Sequence, residues 1–253
     1  MRVGWHTATV PSRSARVSSE RPFYDLHAKA YDALITDSVE PWVQAVDERL
    51  QNAGLARASL LDAGCGTGRH AEALRERGHR VTLLDASERL LEIAKRRCPT
   101  MEAHWSDICA PNFSGMFDAI TCRGVLNDLV SEVERNAALV SFASHLKNDG
   151  LLFLDVRETV AAKRRADGVL RRVSVAVGDG STLAFSSRPT WRADRLLVEE
   201  RYELGFPDRT TLVHEYQFEM RPWARSEVER RLAANGFTDI QGEFNRSTQH
   251  LVD

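Results

Sequence analysis

Apolar positions along the chain fall first at helical and then at strand spacing. Residues 23–35 (FYDLHAKAYDALI) and 39–54 (VEPWVQAVDERLQNAG) repeat apolar side chains every three to four positions, with Gly54 as a stop. They predict helices ahead of the first strand. An apolar run then spans 58–64 (ASLLDAG), followed by a helix at 69–78, a strand at 79–86 (HRVTLLDA) and a helix at 87–97. Strands at 102–107 and 117–123, a helix at 132–150 and a strand at 150–156 complete this series. Apolar strand runs alternating with amphipathic helices predict a parallel sheet covered on both faces.

After Val156 the rhythm changes. Residues 169–177, 181–187, 195–204 and 210–220 are β-rich and are separated by turn residues such as Gly178-Asp179-Gly180 and Pro207-Asp208. They predict an antiparallel sheet, partly an insertion beside the main fold. A helix returns at 226–236, and 237–244 (FTDIQGEF) reads as a last strand. The expected division is a flexible N-terminal extension over 1–22, a core with its leading helices over 23–156, an acceptor-binding insertion over 157–209, and a completion of the core sheet over 210–253.

Composition changes this picture by exclusion. A length of 253 residues suits one large α/β domain, and a formal net charge of -2 lacks the basic footprint of a nucleic-acid binder. A small or neutral partner is expected. Cys65, Cys98, Cys109 and Cys122 form no CxxC pair, so neither disulfides nor zinc are expected. No run is long enough to span a membrane, and the first residues lack the apolar segment of a secretory signal. The expectation is a cytoplasmic protein without membrane or nucleic-acid partners.

The chemistry concentrates in residues 60–70, LLDAGCGTGRH, where Gly64, Gly66 and Gly68 follow a buried strand and open a helix. Glycine permits positive φ and removes the Cβ atoms that would keep a ligand from the backbone. The dinucleotide fingerprint places its third glycine where this chain has Arg69, which weakens an NAD reading. Asp62, two positions before the first glycine, would repel a pyrophosphate and suits a ligand that carries an ammonium group.

Asp62 with Gly64, Gly66 and Gly68, then Asp85 ending the next strand, then Ser106-Asp107-Ile108, resemble in order the three motifs of the class I S-adenosylmethionine-dependent methyltransferases. The resemblance covers roughly residues 55–156. It implies an α/β, Rossmann-like, mostly parallel seven-stranded sheet with helices on both faces. An N-terminal helical lid and an antiparallel β insertion after the fifth strand belong to the same expectation. The implied cofactor is S-adenosylmethionine, held by the glycine loop including Cys65, by Asp85 and Ala86 at the ribose, by Ser106, Asp107 and Ile108 beside the adenine, and by Arg123. Cys65 and Cys122 read as small buried packing residues without chemistry of their own.

Methyl transfer from a sulfonium is an in-line displacement for which positioning supplies much of the rate, so a dedicated base is not required. Residues 122–130 (CRGVLNDLV) follow the fourth strand, where the family places substrate-facing groups; Arg123, Asn127 and Asp128 are the candidates, the last two as catalytic residues. The stretch is not the N-P-P-Y of nucleobase amino-methyltransferases. The helix FYDLHAKAYD is similar to the family's lid form Y-D-x-x-A-x-x-Y-D, which makes Tyr24 and Tyr31 catalytic candidates and Tyr24, His27 and Tyr31 acceptor-binding ones. In layout the insertion resembles glycine and aminosugar N-methyltransferases, with Trp191, His214, Tyr216 and Arg221 as acceptor candidates. The basic residues Lys163, Arg164, Arg165, Arg171 and Arg172 either hold an acidic acceptor or form a solvated surface.

The resemblance implies methyl transfer to an amine nitrogen of a small molecule: an aminosugar, an amino acid or an antibiotic-like natural product. Three other readings stay open at this point. They are O-methylation with His27, His145 or His214 as base, a non-catalytic S-adenosylmethionine-binding protein, and an NAD-dependent oxidoreductase. Monomer and homodimer are equally compatible with the sequence.

Overall fold

The computed structural model describes residues 22–242. The chain enters through two short helices, α1 (Phe23–Leu26) and α2 (Ala28–Leu34), and a longer α3 (Glu40–Asn52). The single leading helix expected over 23–35 is broken at His27, whose backbone (φ -135, ψ 46) leaves the helical region. Residues 1–21 of the expected extension lie outside the described residues.

A parallel sheet of five strands follows, in the order β3-β2-β1-β4-β5. Its strands are β1 (Ser59–Ala63), β2 (Arg80–Asp85), β3 (Ala103–Trp105), β4 (Phe117–Arg123) and β5 (Leu146–Asp155). Helices α4 (Arg69–Glu76), α5 (Glu88–Arg97) and α6 (Glu132–His145) connect them. Consecutive strand residues point to opposite faces, and both faces are covered, which is why β1 reads as a continuous apolar run. Leu60 packs with Val43, Val46 and Leu50 of α3 on one side. Leu61 packs with Ala138, Leu139 and Phe142 of α6 on the other. Helix α6 stops at His145 instead of running to residue 150, because Leu146 already pairs with Phe117 of β4 and Asp149 turns the chain at φ 61.

After β5 comes α7 (Thr159–Arg165) and then a second, antiparallel sheet of β6 (Arg171–Gly178), β7 (Ser181–Arg192), β8 (Arg195–Gly205) and β9 (Thr211–Met220), hydrogen-bonded in that order. The boundary expected at residue 209 falls inside this sheet, since β9 pairs with β8 from Thr211 to Met220. The expected seven-stranded core is likewise corrected to five strands among the described residues. The later strands are linked by short turns, so they pair with one another rather than with the parallel sheet. Residues 237–242 are not in a strand, although Phe237 and Ile240 pack against the core; the rest of the expected last strand lies outside the described residues.

The inward face of the second sheet buries Leu183, Phe185, Tyr202 and Leu204 against Phe23, Ala30 and Leu34 of α1 and α2. The leading helices also touch α5, so they bridge the two sheets. Among the described residues no helix is long and apolar enough to cross a membrane.

Candidate active site

Strand order reverses between β1 and β4, and the loops leaving the carboxyl ends of these two strands face each other there, the place where open α/β sheets bind ligands. Gly64, Gly66 and Gly68 occupy the loop after β1, all with positive φ (78, 55 and 79). Their surroundings differ. A Cβ on Gly64 would lie 2.3 Å from Val125 Cγ2 in the loop after β4. One on Gly68 would meet Ala94 of α5 at 3.0 Å, so this glycine permits close packing of α4 on α5. A Cβ on Gly66 would meet nothing within 4 Å, which leaves the backbone of this residue approachable.

Two buried carboxylates flank the loop. Asp85 Oδ2 accepts a hydrogen bond from Gly66 N (2.7 Å), and its Oδ1 accepts one from Ser87 N (2.8 Å). Asp62 Oδ1 accepts from Thr121 Oγ1 (2.9 Å). Burial raises the carboxyl groups of Asp62 and Asp85 to about 6 each, with the Asp85 charge adding to the effect at Asp62 and the Asp25 charge at Asp85. Trp105 Nε1 donates to Ala86 O (2.9 Å), which sets an indole beside the end of β2. Ser106 and Asp107 shape the next loop, their side-chain oxygens accepting from Asn112 N (3.1 Å) and Cys109 N (2.8 Å), while Ile108 is buried in the core. Cys65 and Cys122 are buried, and burial pushes both thiols up.

At the end of β4, Arg123 donates to Asp155 Oδ2 (3.1 Å) and to His70 Nε2 (2.9 Å). Burial and then the Arg123 charge push His70 down to about 3, so this histidine is a neutral acceptor. The following 3₁₀ turn, Leu126–Asp128, is fastened from outside. Asn127 accepts from Arg157 N through its side chain (2.8 Å) and from Arg221 N through its backbone (2.8 Å), which ties up its side-chain carbonyl in the frame of the site. Asp128 is buried beside it. Arg135, fully buried, donates to Leu129 O (2.9 Å), Arg221 O and Pro222 O (3.2 Å) and lies 3.9 Å over the Trp223 ring. Trp223 Nε1 in turn donates to Leu126 O (3.0 Å). Arg221 is engaged by Glu132 and Glu227 of α6 and α8 (Arg225–Ala234), which makes it a tie between elements.

Three contacts clip the leading helices to this edge. Ser87 Oγ donates to Asp25; Arg97 pairs with Asp32 (3.0 Å) while donating to Thr67 O (2.6 Å); and Arg69 donates to Asp37 O (2.6 Å). Tyr24 and Tyr31 meet edge to face at 4.5 Å between ring centroids. His27 Nε2 lies 3.1 Å from His214 Nε2, and His214 stacks on Tyr216 at 6.1 Å. Burial and the neighbouring His214 lower His27. Five of the expected acceptor residues, Tyr24, His27, Tyr31, His214 and Tyr216, therefore converge between α1, α2 and the second sheet. Trp191 does not: it sits at the β7–β8 turn, its Nε1 donating to Ala193 O (2.8 Å). His145, a base candidate for the O-methylation reading, closes α6 against Phe113.

Comparison with known proteins decides what this crevice belongs to. A family model described as a methyltransferase domain matches residues 60–150. The dTDP-3-amino-3,6-dideoxy-alpha-D-glucopyranose N,N-dimethyltransferase of Streptomyces fradiae is 30% identical over 182 residues, covering 72% of this chain and 70% of that protein. The chain belongs to the class I S-adenosylmethionine-dependent methyltransferases. A glycine/sarcosine N-methyltransferase of Aphanothece halophytica is 32% identical over 210 residues, 77% of this chain and 72% of its own length. The structure of S-adenosylmethionine-bound CalS10, an amino pentose methyltransferase from Micromonospora echinaspora, superposes with a TM-score of 0.67 at 28% identity, covering 83% of this chain and 88% of that one.

The methyltransferase's own geometry fits such a cofactor. Asp62 and Asp85 are buried carboxylates on either side of an approachable glycine backbone, a donor set that suits hydroxyl and ammonium groups and would repel a phosphate. Sequence reading missed Asp25, Ser87, Trp105, His70, Arg135 and Trp223. Ser87 had a signal, since Ser before Glu88 reads as a helix cap, and it does accept from Leu90 N (3.2 Å). The others meet partners remote in sequence.

Proposed function

We propose that this methyltransferase transfers the methyl group of S-adenosylmethionine to an amine nitrogen of a small molecule, an aminosugar, an amino acid or a related natural product. The observation that carries the reading is that relatives at least 30% identical, each matched over 70% or more of its own length, are N-methyltransferases of a dTDP-aminosugar and of glycine and sarcosine. When bound, the cofactor supplies an electrophilic methyl carbon on a sulfonium. Asp85 holds the ribose hydroxyls while its backbone partners Gly66 and Ser87 fix its orientation. Ser106, Asp107 and Ile108 border the adenine, with Trp105 as a further wall beside Ala86. Asp62, Gly64, Cys65, Gly66 and Gly68 carry the methionyl end, and Arg123 braces the same rim.

On the acceptor side, Asp128 and the tyrosines Tyr24 and Tyr31 orient the nitrogen lone pair. Helices α1 and α2 act as the lid, and the second sheet forms the opposite wall with His27, His214 and Tyr216. His27 and His214 lie within hydrogen-bonding distance of one another, so one ring donates to the other along this wall.

The test is mass spectrometry after incubation with methyl-deuterated S-adenosylmethionine and a panel of amines and their hydroxyl counterparts. Label in the amines alone supports the reading. Label in the hydroxyl compounds alone overturns it in favour of O-methylation.

A further inference from the structure

The inward face of the second sheet is apolar at both ends and polar across one rung. At one end Leu183, Phe185, Tyr202 and Leu204 pack under the leading helices, and at the other Leu196, Val198, Phe218 and Met220 form a separate cluster. Between them the register sets Ser187 of β7, Glu200 of β8 and Tyr216 of β9 side by side. Glu200 is in step with Leu196, Val198, Tyr202 and Leu204, all buried, so the strand period of two turns its carboxylate inward. Glu200 Oε2 accepts a hydrogen bond from Tyr202 Oη (2.7 Å). Tyr216 Oη is buried and, among the described residues, has no hydrogen-bond partner.

Such a rung is costly for a sheet that only has to pack. A carboxylate and an unpaired hydroxyl on a largely apolar face lose hydration, and an aliphatic pair at the two positions would pack without that loss. The rung is also joined to the cofactor edge. Tyr202 stacks on Phe23 at 3.9 Å, Asp25 two residues on accepts from Ser87 Oγ, and Ser87 N donates to Asp85.

Resting on the amine reading above, we propose that Glu200, flanked by the hydroxyls of Tyr202 and Tyr216, is the subsite that takes the acceptor's amino group as a cation. A carboxylate set among aromatic rings favours an ammonium over a neutral group of the same shape through charge-assisted hydrogen bonding and cation–π attraction. The buried Tyr216 hydroxyl gains a partner in the acceptor. Glu200 is a specificity residue here: it selects the protonated amine on entry, and the nitrogen then gives up one N–H proton to water, so that its freed lone pair forms the N–methyl bond as the methyl–sulfur bond breaks. Because an N-methylated amine is still a cation when protonated, the subsite holds a monomethylated product as well as the first substrate.

The experiment compares ethanolamine, an ammonium at pH 7, with 1-propanol, which has the same number of heavy atoms and ends in a methyl group, by saturation-transfer NMR on the full chain with S-adenosylhomocysteine present. The wild type is expected to prefer ethanolamine by about tenfold or more. Glu200→Gln, which keeps size and the Tyr202 contact, reduces the preference to below about threefold while leaving S-adenosylhomocysteine affinity within about twofold. Tyr216→Phe, which removes one oxygen atom, gives an intermediate loss and stands as the decisive variant if Glu200→Gln does not fold. Equal binding of the two probes, binding of neither, or a preference that survives both substitutions overturns the proposal. Failure of the amine reading is seen separately, as methyl label on oxygen, and leaves the charge preference measurable.

Discussion

Gly64→Ala tests whether the switch-point crevice is as tightly closed behind the glycine loop as the geometry indicates. Two costs add. The φ of +78 places an L-residue in the left-handed region, at about 1 kcal/mol or slightly more. The new Cβ would lie 2.3 Å from Val125 Cγ2, well inside the ordinary carbon–carbon separation of about 3.5–4.0 Å, and overpacking of that kind costs about 1–3 kcal/mol. The sum of about 2–4 kcal/mol is a large part of the stability of a typical domain, and for a chain of this size it lowers Tm by about 5–15 °C. Val125 leads into the Leu126–Asp128 turn, so the displacement also reaches the acceptor side. Urea unfolding of the wild type, Gly64→Ala, Val125→Ala and the double variant separates the two costs. With the valine methyls gone, Gly64→Ala should cost only its conformational part, a coupling of about 1–3 kcal/mol. Additivity within about 0.5 kcal/mol would refute the packing account of Gly64.

Gly66→Ala should behave differently: the Cβ meets nothing, so stability falls by only about 1 kcal/mol, while calorimetric affinity for S-adenosylmethionine drops about tenfold or more; a stable variant with unchanged affinity removes this backbone from the cofactor site. Asp62 and Asp85 keep their protons in the folded protein up to about 6, above the unfolded value of about 4, so their contribution to stability is complete at low pH and is lost as pH rises through that window. The stability of the wild type minus that of Asp85→Asn, followed by thermal unfolding without cofactor, should therefore decline from about pH 4 to about pH 7, and a flat difference contradicts the burial of Asp85. Arg135→Ala leaves the Leu129, Arg221 and Pro222 carbonyls without their buried donor and should cost about 3–5 kcal/mol in urea unfolding, with a loss under about 1 kcal/mol contradicting its bracing role.

What was legible in the sequence is what is local. The glycine loop, Asp62 and Asp85 lie within one strand–helix–strand unit, and the strand ends bring them together without help from elsewhere. The hairpins of the second sheet were legible for the same reason, since their turns are marked by Gly178-Asp179-Gly180 and Pro207-Asp208. The end of the insertion was not, because an alternating strand pattern does not say where a sheet stops: 210–220 read as antiparallel strand, yet the division drawn at 209 cut it from the sheet in which β9 pairs with β8. Asn127 and Arg221 were legible as polar candidates but not as ties between elements, since their partners, Arg157 and Glu132, come from other parts of the chain. Arg135 gave no sign of being buried, for all its partners except Leu129 O lie far along the chain, in the segment that carries Arg221, Pro222 and Glu227. Glu200 gave no such signal: the alternation that sets it on the apolar face shows in the burial of Leu196, Val198, Tyr202 and Leu204, while Leu197 and Glu199 blur it in the residue types.

The most direct test of the central claim is NMR of the reaction of the purified protein with carbon-13 methyl-labelled S-adenosylmethionine and a nitrogen-15 labelled amine panel containing glycine and a dTDP-aminosugar. The predicted result is a new methyl resonance showing one-bond coupling to nitrogen-15, formed only with active protein and lost with Asp85→Ala. A labelled methyl that appears on oxygen, without that coupling, would contradict the account.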